Sequence, residues 1–351
     1  MQRISFEEGL TLFENAPLSM LQEKAQDVRN IKNPKKRVTF VLDTNPNYTN
    51  VCDACCTFCA FYRNKNATDA YTKSVEEVME DVAFASNQGL TTVLLQGGLN
   101  ADLPLEYYVS LVKETKRLFP NINPHFFTAC EIDCIAKVEN MTTKDVLQAL
   151  FDAGQRSIPG GGAEILSESV RKRISPKKMY ENAWIQIHKE AHEVGFKTTA
   201  TMMYGHVETP EDILIHLDQI RSLQDETQGF TAFIPWSYKS GNNPLKKHVK
   251  HCAGPEDYFR ILSFARIYLD NFDHIQASWF PEGKEAGMLA LNYGADDFGG
   301  TILQESVHRK ANFVNKTTQM EIIEMIKQAG FEPFERDTFY NILVPCDKFH
   351  L

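Results

Sequence analysis

The chain alternates between short runs rich in β-branched or aromatic residues and longer segments whose apolar residues recur with helical spacing. Eight short runs predict strands, and they cover residues 37–45, 90–98, 122–130, 155–161, 196–205, 229–237, 272–280 and 289–299. Helical segments separate the strands, among them residues 74–89, 104–119, 176–195 and 209–226. A strand regularly followed by a helix is typical of an α/β protein with a parallel sheet.

Eight strand–helix pairs predict a parallel (β/α)8 barrel of the TIM type. A doubly wound open sheet is the alternative, but neither a Gly-x-Gly-x-x-Gly turn nor a P-loop follows the first strand. We expect an N-terminal helical segment at residues 1–36, the barrel at 37–313 and a C-terminal extension at 314–351. One helix is predicted over about residues 5–29, and a final strand over 338–344. The polar segment 238–254 either covers the active face of the barrel or links two parts of it.

Charge and composition limit the class of partner. The net charge of −9 argues against nucleic acid, because phosphate binding needs a basic face. The N-terminal segment lacks the apolar core of a signal peptide, and no run approaches the roughly 18 apolar residues that span a membrane. We therefore expect a cytoplasmic protein with reduced thiols, whose eight cysteines are ligands, catalysts or packing residues rather than disulfides.

Four of the cysteines fall within eight residues directly after the first predicted strand, in 47-NYTNVCDACCTFCAFYR-63. Structural zinc sites more often use two separated Cys-x2-Cys pairs, and a ferredoxin-type site needs a fourth cysteine that is missing here. Cys52, Cys56 and Cys59 have the spacing Cys-x3-Cys-x2-Cys, which can ligate three irons of a cubane and leave the fourth iron open. A zinc site and a register through Cys55 stay open as alternatives. The remaining cysteines, at positions 130, 134, 252 and 346, are expected to be packing or surface thiols.

Other candidates lie at the ends of predicted strands, where barrel enzymes place their chemistry. Gly97 and Gly98 follow the second strand, where they let a ligand approach the backbone or form an ordinary turn. Glu131 follows the third strand, and its alternative is a surface acid. Glu164 follows three consecutive glycines, and it either binds a ligand or caps the next helix.

The later strand ends carry further polar and aromatic residues. His206 and Glu208 follow the fifth strand, where a structural histidine is the plainer alternative. Trp236 ends the sixth strand and offers a flat face for stacking, although packing alone also explains it. Asp296 and Asp297 lie at the end of the eighth predicted strand and can meet a polar sugar or act as a base.

The cysteine spacing, with Phe58 directly before the last cysteine, resembles the signature of the radical S-adenosylmethionine (SAM) superfamily. The resemblance implies a [4Fe–4S] cluster on Cys52, Cys56 and Cys59, whose open iron binds SAM and whose reduction releases a 5′-deoxyadenosyl radical. Reduced flavodoxin or ferredoxin is the implied electron donor. The implied cofactor contacts are Phe58, Phe61, Gly97, Gly98, Glu131 and Glu164.

Six stretches along the chain resemble the radical SAM enzymes of the futalosine route to menaquinone, to which deazaflavin-pathway enzymes are related. These stretches are NYTNVC, QGGL, IPGGGAEIL, TMMYGHVET, LQDETQGFTAFIPWS and GADDFGGT. Within the family, FIPW at 233–236 and residues 336–340 are similar to members that abstract a ribose hydrogen from dehypoxanthine futalosine and cyclise it onto the benzoate ring. Members that add the adenosyl radical to an alkene are the alternative. A non-catalytic iron–sulfur or zinc protein is a further one.

The resemblance also implies roles near the substrate. The base is expected among three residues that follow predicted strands, His206, Glu208 and Asp297. Arg63 is expected to bind the substrate carboxylate, and Trp236 is expected to stack on its ring. Tyr204 and Asp296 are expected to contact the rest of this nucleoside-like substrate.

Overall fold

The computed structural model describes residues 3–345. Its helices are α1 Phe6–Asn15, α2 Leu18–Lys32, α3 Val75–Asn87, α4 Leu105–Leu118, α5 Ala129–Glu139, α6 Thr143–Asp152, α7 Glu168–Ile174, α8 Glu181–Val194, α9 Pro210–Thr227, α10 Pro255–Tyr268, α11 Trp279–Glu282, α12 Lys284–Ala290, α13 Val307–Lys310 and α14 Gln319–Gln328, with a 3-10 helix at Pro244–Lys247. Its strands are β1 Arg37–Val41, β2 Asp43–Thr44, β3 Thr92–Leu95, β4 Asn123–Phe126, β5 Ser157–Ile158, β6 Lys197–Tyr204, β7 Phe230–Ser237, β8 His274–Ile275, β9 Asp297–Gly300, β10 Glu332–Arg336 and β11 Ile342–Pro345. Between residues 3 and 345, no helix combines the length and the apolar character that crossing a bilayer requires.

The strands form a parallel barrel. β2 to β8 lie side by side in chain order in one curled sheet, and each neighbouring pair is parallel. β1 continues into β2 after Leu42, and its edge pairs with β9. A single bridge between Gln276 and Asp297 joins β9 to the chain just after β8. The predicted α/β fold with a parallel barrel is therefore confirmed.

α3 shows why the helical segments form where the pattern places them. Ser74 Oγ accepts the backbone N–H of Glu77 (3.2 Å), and the Glu77 carboxylate accepts the backbone N–H of Ser74 (2.7 Å). This reciprocal cap satisfies donors that the first turn leaves unpaired. Val78, Val82 and Ala85 then bury one face of the helix in the core.

The N-terminal segment contains two helices where the pattern predicted one. α1 ends at Asn15, and α2 begins after Pro17. Proline lacks a backbone N–H and cannot continue the hydrogen-bonding ladder of the first helix, whereas it is well tolerated at a helix start. The prediction of one continuous helix was therefore wrong at this position.

The C-terminal strand prediction, residues 338–344, was also only partly right. The chain forms β10, turns over residues 337–341 and returns as antiparallel β11. The Asp337 carboxylate closes this turn by accepting the backbone N–H groups of Phe339 (2.8 Å) and Asn341 (2.9 Å). β10 pairs in parallel with β1 along its whole length, which brings the extension to the barrel wall. Cys346 lies outside the described residues.

The eighth predicted strand, residues 289–299, is mostly not a strand. α12 extends to Ala290, a turn follows, and β9 begins only at Asp297. The turn packs against α10, where the Tyr293 ring stacks on Phe259 with centroids 4.4 Å apart. This packing outweighs the strand-like residue pattern of the segment. Residues 296–297 therefore lie at the beginning of a strand and not at its end.

Candidate active site

A cavity of about 410 Å³ lies inside the barrel and reaches the carboxyl ends of its strands. Its lining comes from the loop after β2, from the barrel strands and from the C-terminal segment that includes Arg336. The predicted site residues that line it are Cys52, Cys56, Phe58, Cys59, Phe61, Gly97, Gly98, Glu131, Glu164 and Trp236. The predicted site residues that do not line it are Arg63, Tyr204, His206, Glu208, Asp296 and Asp297.

The loop after β2 brings three of its four cysteines to the cavity. Cys52, Cys56 and Cys59 line the wall, and the backbone N–H of Cys59 donates to the carbonyl of Cys56 (3.1 Å). Cys55 has a left-handed backbone with φ of 49°, and its sulfur lies 3.9 Å from Lys177 Nζ rather than in the cavity lining. The geometry thus groups Cys52 with Cys56 and Cys59.

The environment of these thiols suits metal-bound thiolates. Burial raises the pKa of Cys56 to about 12, so its free thiol is protonated at neutral pH. Burial also raises the pKa of Cys59, although the backbone N–H groups of Tyr62 and Phe61 act against this by hydrogen bonding to its sulfur. Such N–H···S bonds stabilise a thiolate once a metal has displaced the proton, and they tune iron–sulfur sites.

The spacing of the thiols fits a cubane better than a single ion. Across residues 3–345, no three His, Cys, Asp or Glu side chains are placed so that they can hold one metal ion. A cubane does not need such convergence, because each thiolate ligates a different iron. Cys52, Cys56 and Cys59 would therefore hold a [4Fe–4S] cluster at the cavity wall.

Arg63 stabilises the cysteine loop. Its Nε donates to both carboxylate oxygens of Asp69 (2.7 and 2.8 Å). Its Nη1 donates to the carbonyl oxygens of Ala60, Phe61 and Tyr62, at 3.1, 3.2 and 2.8 Å. The structure does not bring Arg63 to the cavity, because its guanidinium faces the loop that carries Cys59.

Glu131 organises the turn after β3. Its Oε1 accepts the Tyr48 hydroxyl (2.7 Å) and the backbone N–H of Gly97 (3.0 Å). Its Oε2 accepts the backbone N–H and the hydroxyl of Thr128, at 2.6 and 2.8 Å. These four bonds match the roughly four acceptor sites of a carboxylate. Glu131 lines the cavity, where it fixes both the Gly97 turn and the start of α5.

The turn after β3 also packs directly against the cysteine loop. A Cβ atom on Gly98 would lie 2.0 Å from the carbonyl oxygen of Val51 and 2.8 Å from the Cβ of Cys52. Both neighbours belong to the loop that positions the thiols, and neither is the far end of a flexible side chain. Only glycine allows this approach.

We expect Gly98→Ala to displace Cys52 and to weaken iron binding about 10- to 100-fold, the range for residues that support metal ligands. The measurement is iron and sulfide content after anaerobic reconstitution. Gly254→Ala is the matched control, because a Cβ there meets only Asp257 Oδ2 at 3.9 Å. Wild-type iron content in Gly98→Ala would contradict the proposed contact.

A buried ion pair lies beside the cluster thiols. Lys178 Nζ is 2.5 Å from Glu164 Oε1, and both residues line the cavity. Burial acts to lower the pKa of Lys178, but Cys56 and Glu164 raise it well above its ordinary value. The ammonium also lies 5.6 Å from the centroid of the Phe58 ring. Sequence reasoning missed Lys178, because nothing in its local pattern separates it from a surface lysine.

His206 and Glu208 pair with each other away from the cavity. His206 Nδ1 is 2.9 Å from Glu208 Oε2, and its Nε2 is 3.0 Å from the carbonyl of Met203. The Glu208 carboxylate also accepts the backbone N–H of Gly205 (2.5 Å). Burial acts to raise the pKa of Glu208, but His206 outweighs it and the pKa is lowered. Nearby Tyr204 donates to Glu282 Oε1 (3.2 Å), so this group stabilises the chain after β6.

Asp297 lies at the start of β9, inside the barrel. Its carboxylate accepts Nε and Nη2 of Arg336 at 2.5 and 2.9 Å, and the Thr39 hydroxyl at 2.6 Å. Asp296, the preceding residue, points the opposite way, as successive residues of an extended chain do. It pairs with buried Arg266 and with His274 Nδ1, the latter at 2.6 Å. The structure thus places both acids at the amino end of β9 rather than at the carboxyl end of a strand, and neither lines the cavity.

The cavity lining contains further titratable residues that the sequence pattern did not single out, and Asp43 and His125 are two of them. Val41, Asp43, Asn45 and Asn47 all line it, which is the alternation of a strand with one face inward. That alternation is the signal by which Asp43 is recognisable, since an acid on the inner face of a barrel strand is unusual. His125 is buried on β4, with its Nδ1 2.9 Å from Ser157 Oγ.

Comparisons with known proteins agree with this geometry. Residues 46–220 match the model of the radical SAM superfamily, and residues 227–347 match the CofH/MqnC C-terminal region. The chain is 38% identical to a cyclic dehypoxanthine futalosine synthase of Halalkalibacterium halodurans, over 97% of this chain and 92% of that one. It is also 38% identical to an aminodeoxyfutalosine synthase of Thermus thermophilus, over 99% and 94% of the two chains.

A solved structure supports the fold independently of sequence. The crystal structure of methylornithine synthase (PylB) superposes with a TM-score of 0.73 at 15% identity, over 95% of this chain and 94% of that one. At this identity the match concerns the fold alone. The superfamily match fits the three thiols on the cavity wall, and the relatives cover nearly the whole chain. The chain therefore belongs to the radical SAM superfamily, in the group that contains the futalosine-pathway synthases.

Proposed function

We propose that the protein cyclises dehypoxanthine futalosine in menaquinone biosynthesis, by abstracting a ribose hydrogen and closing a bond to the benzoate ring. The observation that carries the proposal is that one cavity brings the three cluster thiols together with Trp236. The FIPW stretch containing Trp236 is the feature most similar to the cyclising members of the family. A flat indole facing the cavity supports stacking of an aromatic substrate ring.

The cavity residues divide into two groups. Cys52, Cys56 and Cys59 would hold the cluster, and bound SAM would supply the 5′-deoxyadenosyl radical. Around them, the lining residues proposed to contact SAM are Phe58, Phe61, Gly97, Gly98, Glu131 and Glu164. A site inside a barrel limits the access of water, which protects a reactive radical from side reactions.

Lys178 adds a fixed positive charge to the cofactor end of the cavity. Its pairing with Glu164 keeps the ammonium charged despite burial. A cation there would offset part of the negative charge of a cluster ligated by three thiolates. The substrate would then occupy the part of the cavity that Asp43, His125 and Arg336 line.

Product analysis tests the proposal. Anaerobically reconstituted protein is given SAM, a reductant and dehypoxanthine futalosine. It should release free 5′-deoxyadenosine and a cyclised product whose mass is that of the substrate minus two hydrogen atoms. The main alternative is the aminodeoxyfutalosine synthase activity named for the Thermus thermophilus relative. That activity would appear as incorporation of the adenosyl group into the product of its own alkene substrate. Protein with about four irons that yields neither 5′-deoxyadenosine nor an adenosylated product would exclude both enzymes.

We also propose where a reduced flavodoxin or ferredoxin delivers its electron. Thr57, in the cysteine loop, accepts the backbone N–H of Leu245 (2.9 Å) and donates its own N–H to Ile174 (2.8 Å). The segment 238–254 therefore lies against the cysteine loop. The exposed cations next to these contacts are Arg173, Lys177, Lys246, Lys247 and Lys250. A basic surface beside the cluster, on a chain of net charge −9, suits a small acidic electron carrier. We retain a cytoplasmic location, where such carriers and reduced thiols are found, as part of the proposal.

Reversing two of these charges should slow electron delivery without changing the chemistry. We expect Lys246→Glu with Lys247→Glu to lower the rate with reduced flavodoxin about 10-fold at low salt, because electrostatic steering raises association rates. The rate with dithionite should be unchanged. The control pair is Lys24→Glu with Lys35→Glu, on exposed positions of α2 and the segment before β1. Equal flavodoxin-dependent rates in both pairs would place the carrier elsewhere.

A further inference from the structure

We propose that Asp43 is the base of the cyclisation, the residue that removes the ring proton after the new carbon–carbon bond has formed. The inference rests on the proposed function. The sequence-based candidates for the base are His206, Glu208 and Asp297, and all three lie outside the cavity lining. Asp297 is also held in an ion pair with Arg336. Asp43 lines the same cavity as the three cluster thiols.

The chain leaving β9 is shaped around the Asp43 carboxylate. Its Oδ1 accepts the backbone N–H of Ile302 at 2.8 Å. Ile302 has a left-handed backbone with φ of 47°, which is rare for a β-branched residue and occurs mostly where function demands it. A Cβ atom on Gly300 would lie 2.0 Å from Oδ1, so only glycine leaves room for the carboxylate.

The backbone of Asp43 is held as firmly as its side chain. The Thr301 hydroxyl accepts the Asp43 N–H (3.0 Å) and donates to the Asp43 carbonyl (2.8 Å). β2 also pairs with β3 through Asp43 and Thr92. A base must be positioned before its pKa matters, and these contacts fix the carboxylate on the cavity wall.

The charges around Asp43 suit a base that works near neutral pH. Burial acts to raise the pKa of Asp43, the backbone N–H of Ile302 and Arg336 on β10 oppose it, Asp297 on β9 reinforces it, and the net result is a pKa raised to about 6. Thr92 on the neighbouring strand carries no charge. His125 is a poorer base, because burial lowers its pKa to about 3. A pKa close to the working pH leaves Asp43 mostly ionised at pH 7 and still able to hold a proton.

The step balances in protons and electrons. The cyclised radical carries a C–H bond on the sp3 ring carbon, and the Asp43 carboxylate takes this proton while the electron pair of the bond stays on the ring. The resulting radical anion loses one electron to a one-electron oxidant of the iron–sulfur class. Loss of one proton and one electron restores the aromatic ring.

The test separates hydrogen abstraction from deprotonation. With ribose-deuterated substrate, Asp43→Asn should still form deuterated 5′-deoxyadenosine, while the ratio of cyclised product to 5′-deoxyadenosine falls at least about 100-fold. Asp43→Glu should restore part of this ratio. Asp27→Asn, an exposed acid on α2, is the matched control and should leave it unchanged.

The pH dependence of the product ratio in the wild-type protein tests the role of Asp43 even if the variants fold poorly. Because Asp43 acts as a base, its protonation should lower the product ratio about 10-fold for each pH unit below the pKa. A ratio that stays constant between pH 5 and pH 8, or Asp43→Asn protein with the wild-type ratio, would overturn the assignment of Asp43. Absence of 5′-deoxyadenosine from the wild-type protein would instead overturn the proposed function.

Discussion

Cys56→Ser should lose the iron–sulfur cluster, with iron content after reconstitution and 5′-deoxyadenosine formation both falling at least about 100-fold. Cys56 lines the cavity with Cys52 and Cys59, and a serine hydroxyl does not replace a thiolate as an iron ligand. Removing one of three ligands also leaves the Cys59 sulfur without the iron that its bonds to the backbone N–H groups of Tyr62 and Phe61 would support. The measurement combines iron and sulfide analysis, electron paramagnetic resonance of the reduced protein and product quantification.

Cys55→Ser is the matched control for Cys56→Ser. Cys55 is adjacent in sequence, but its left-handed backbone places its sulfur near Lys177, outside the cavity lining. We expect Cys55→Ser to keep the cluster and the activity. If Cys55→Ser lost the cluster and Cys56→Ser kept it, the ligands would be Cys52, Cys55 and Cys59, and the proposed grouping of thiols would be wrong.

Asp296→Ala should destabilise the protein by about 3–5 kcal/mol, the typical result of removing one partner of a buried ion pair. Asp296 and Arg266 are both buried, at 1% and 0% exposure, so the variant leaves an uncompensated guanidinium in the interior. The variant also removes the acceptor for the Asn33 side-chain amide (2.7 Å) and for the backbone N–H of Ile275 (2.8 Å). Denaturant unfolding monitored by circular dichroism measures the change.

Asp270→Ala provides the control, because Asp270 forms an exposed pair with Arg3 at 3.4 Å. Such pairs contribute at most about 1 kcal/mol. The sequence-based role for Asp296 in sugar binding predicts a different result, namely wild-type stability with a raised KM. That result would show that Asp296 serves the substrate rather than the fold.

The same ion pair predicts a pH dependence of stability. Burial acts to raise the pKa of Asp296, but Arg266 and His274 outweigh it and lower the pKa to about 2. A carboxyl group whose pKa is depressed by folding contributes stability above its unfolded pKa of roughly 4. Its contribution is lost as pH falls towards 2, so Asp296→Ala should remove part of the acid sensitivity between these values.

For Asp296 and Asp297, a wrongly predicted strand boundary led to wrongly expected positions at the active face. A strand over 289–299 puts both acids at its carboxyl end, on the active face. The structure begins β9 at Asp297, so the two acids lie before and at the start of that strand, where they pair with Arg266 and Arg336. The apolar residues before them, which resemble a strand, are instead the end of α12 and a turn packed on α10. Local pattern alone does not distinguish these cases, because short apolar runs fit a strand or a buried helix end.

His206, Glu208 and Arg63 show a different limit. Each lies where the pattern placed it along the chain, and each satisfies its hydrogen-bonding groups with neighbours rather than facing the cavity. A polar residue at a strand end has several directions to point, and the direction depends on which partners the fold supplies. Lys178 and Asp43 show the opposite case. Their sequence pattern does not mark them as site residues, but the fold buries them beside Glu164 and Ile302 at the cavity wall.

The parallel barrel and the family are predictable from the sequence, because they depend on periodicity and on motifs along the chain. The spacing of Cys52, Cys56 and Cys59 predicts the triad but leaves a register through Cys55 open, and the structure favours the triad because the Cys55 sulfur lies outside the cavity lining. Which acids face the cavity depends on the tertiary structure. Asp43 meets Ile302, and Asp297 meets Arg336, across long stretches of chain, and these partners set the direction in which each carboxylate points.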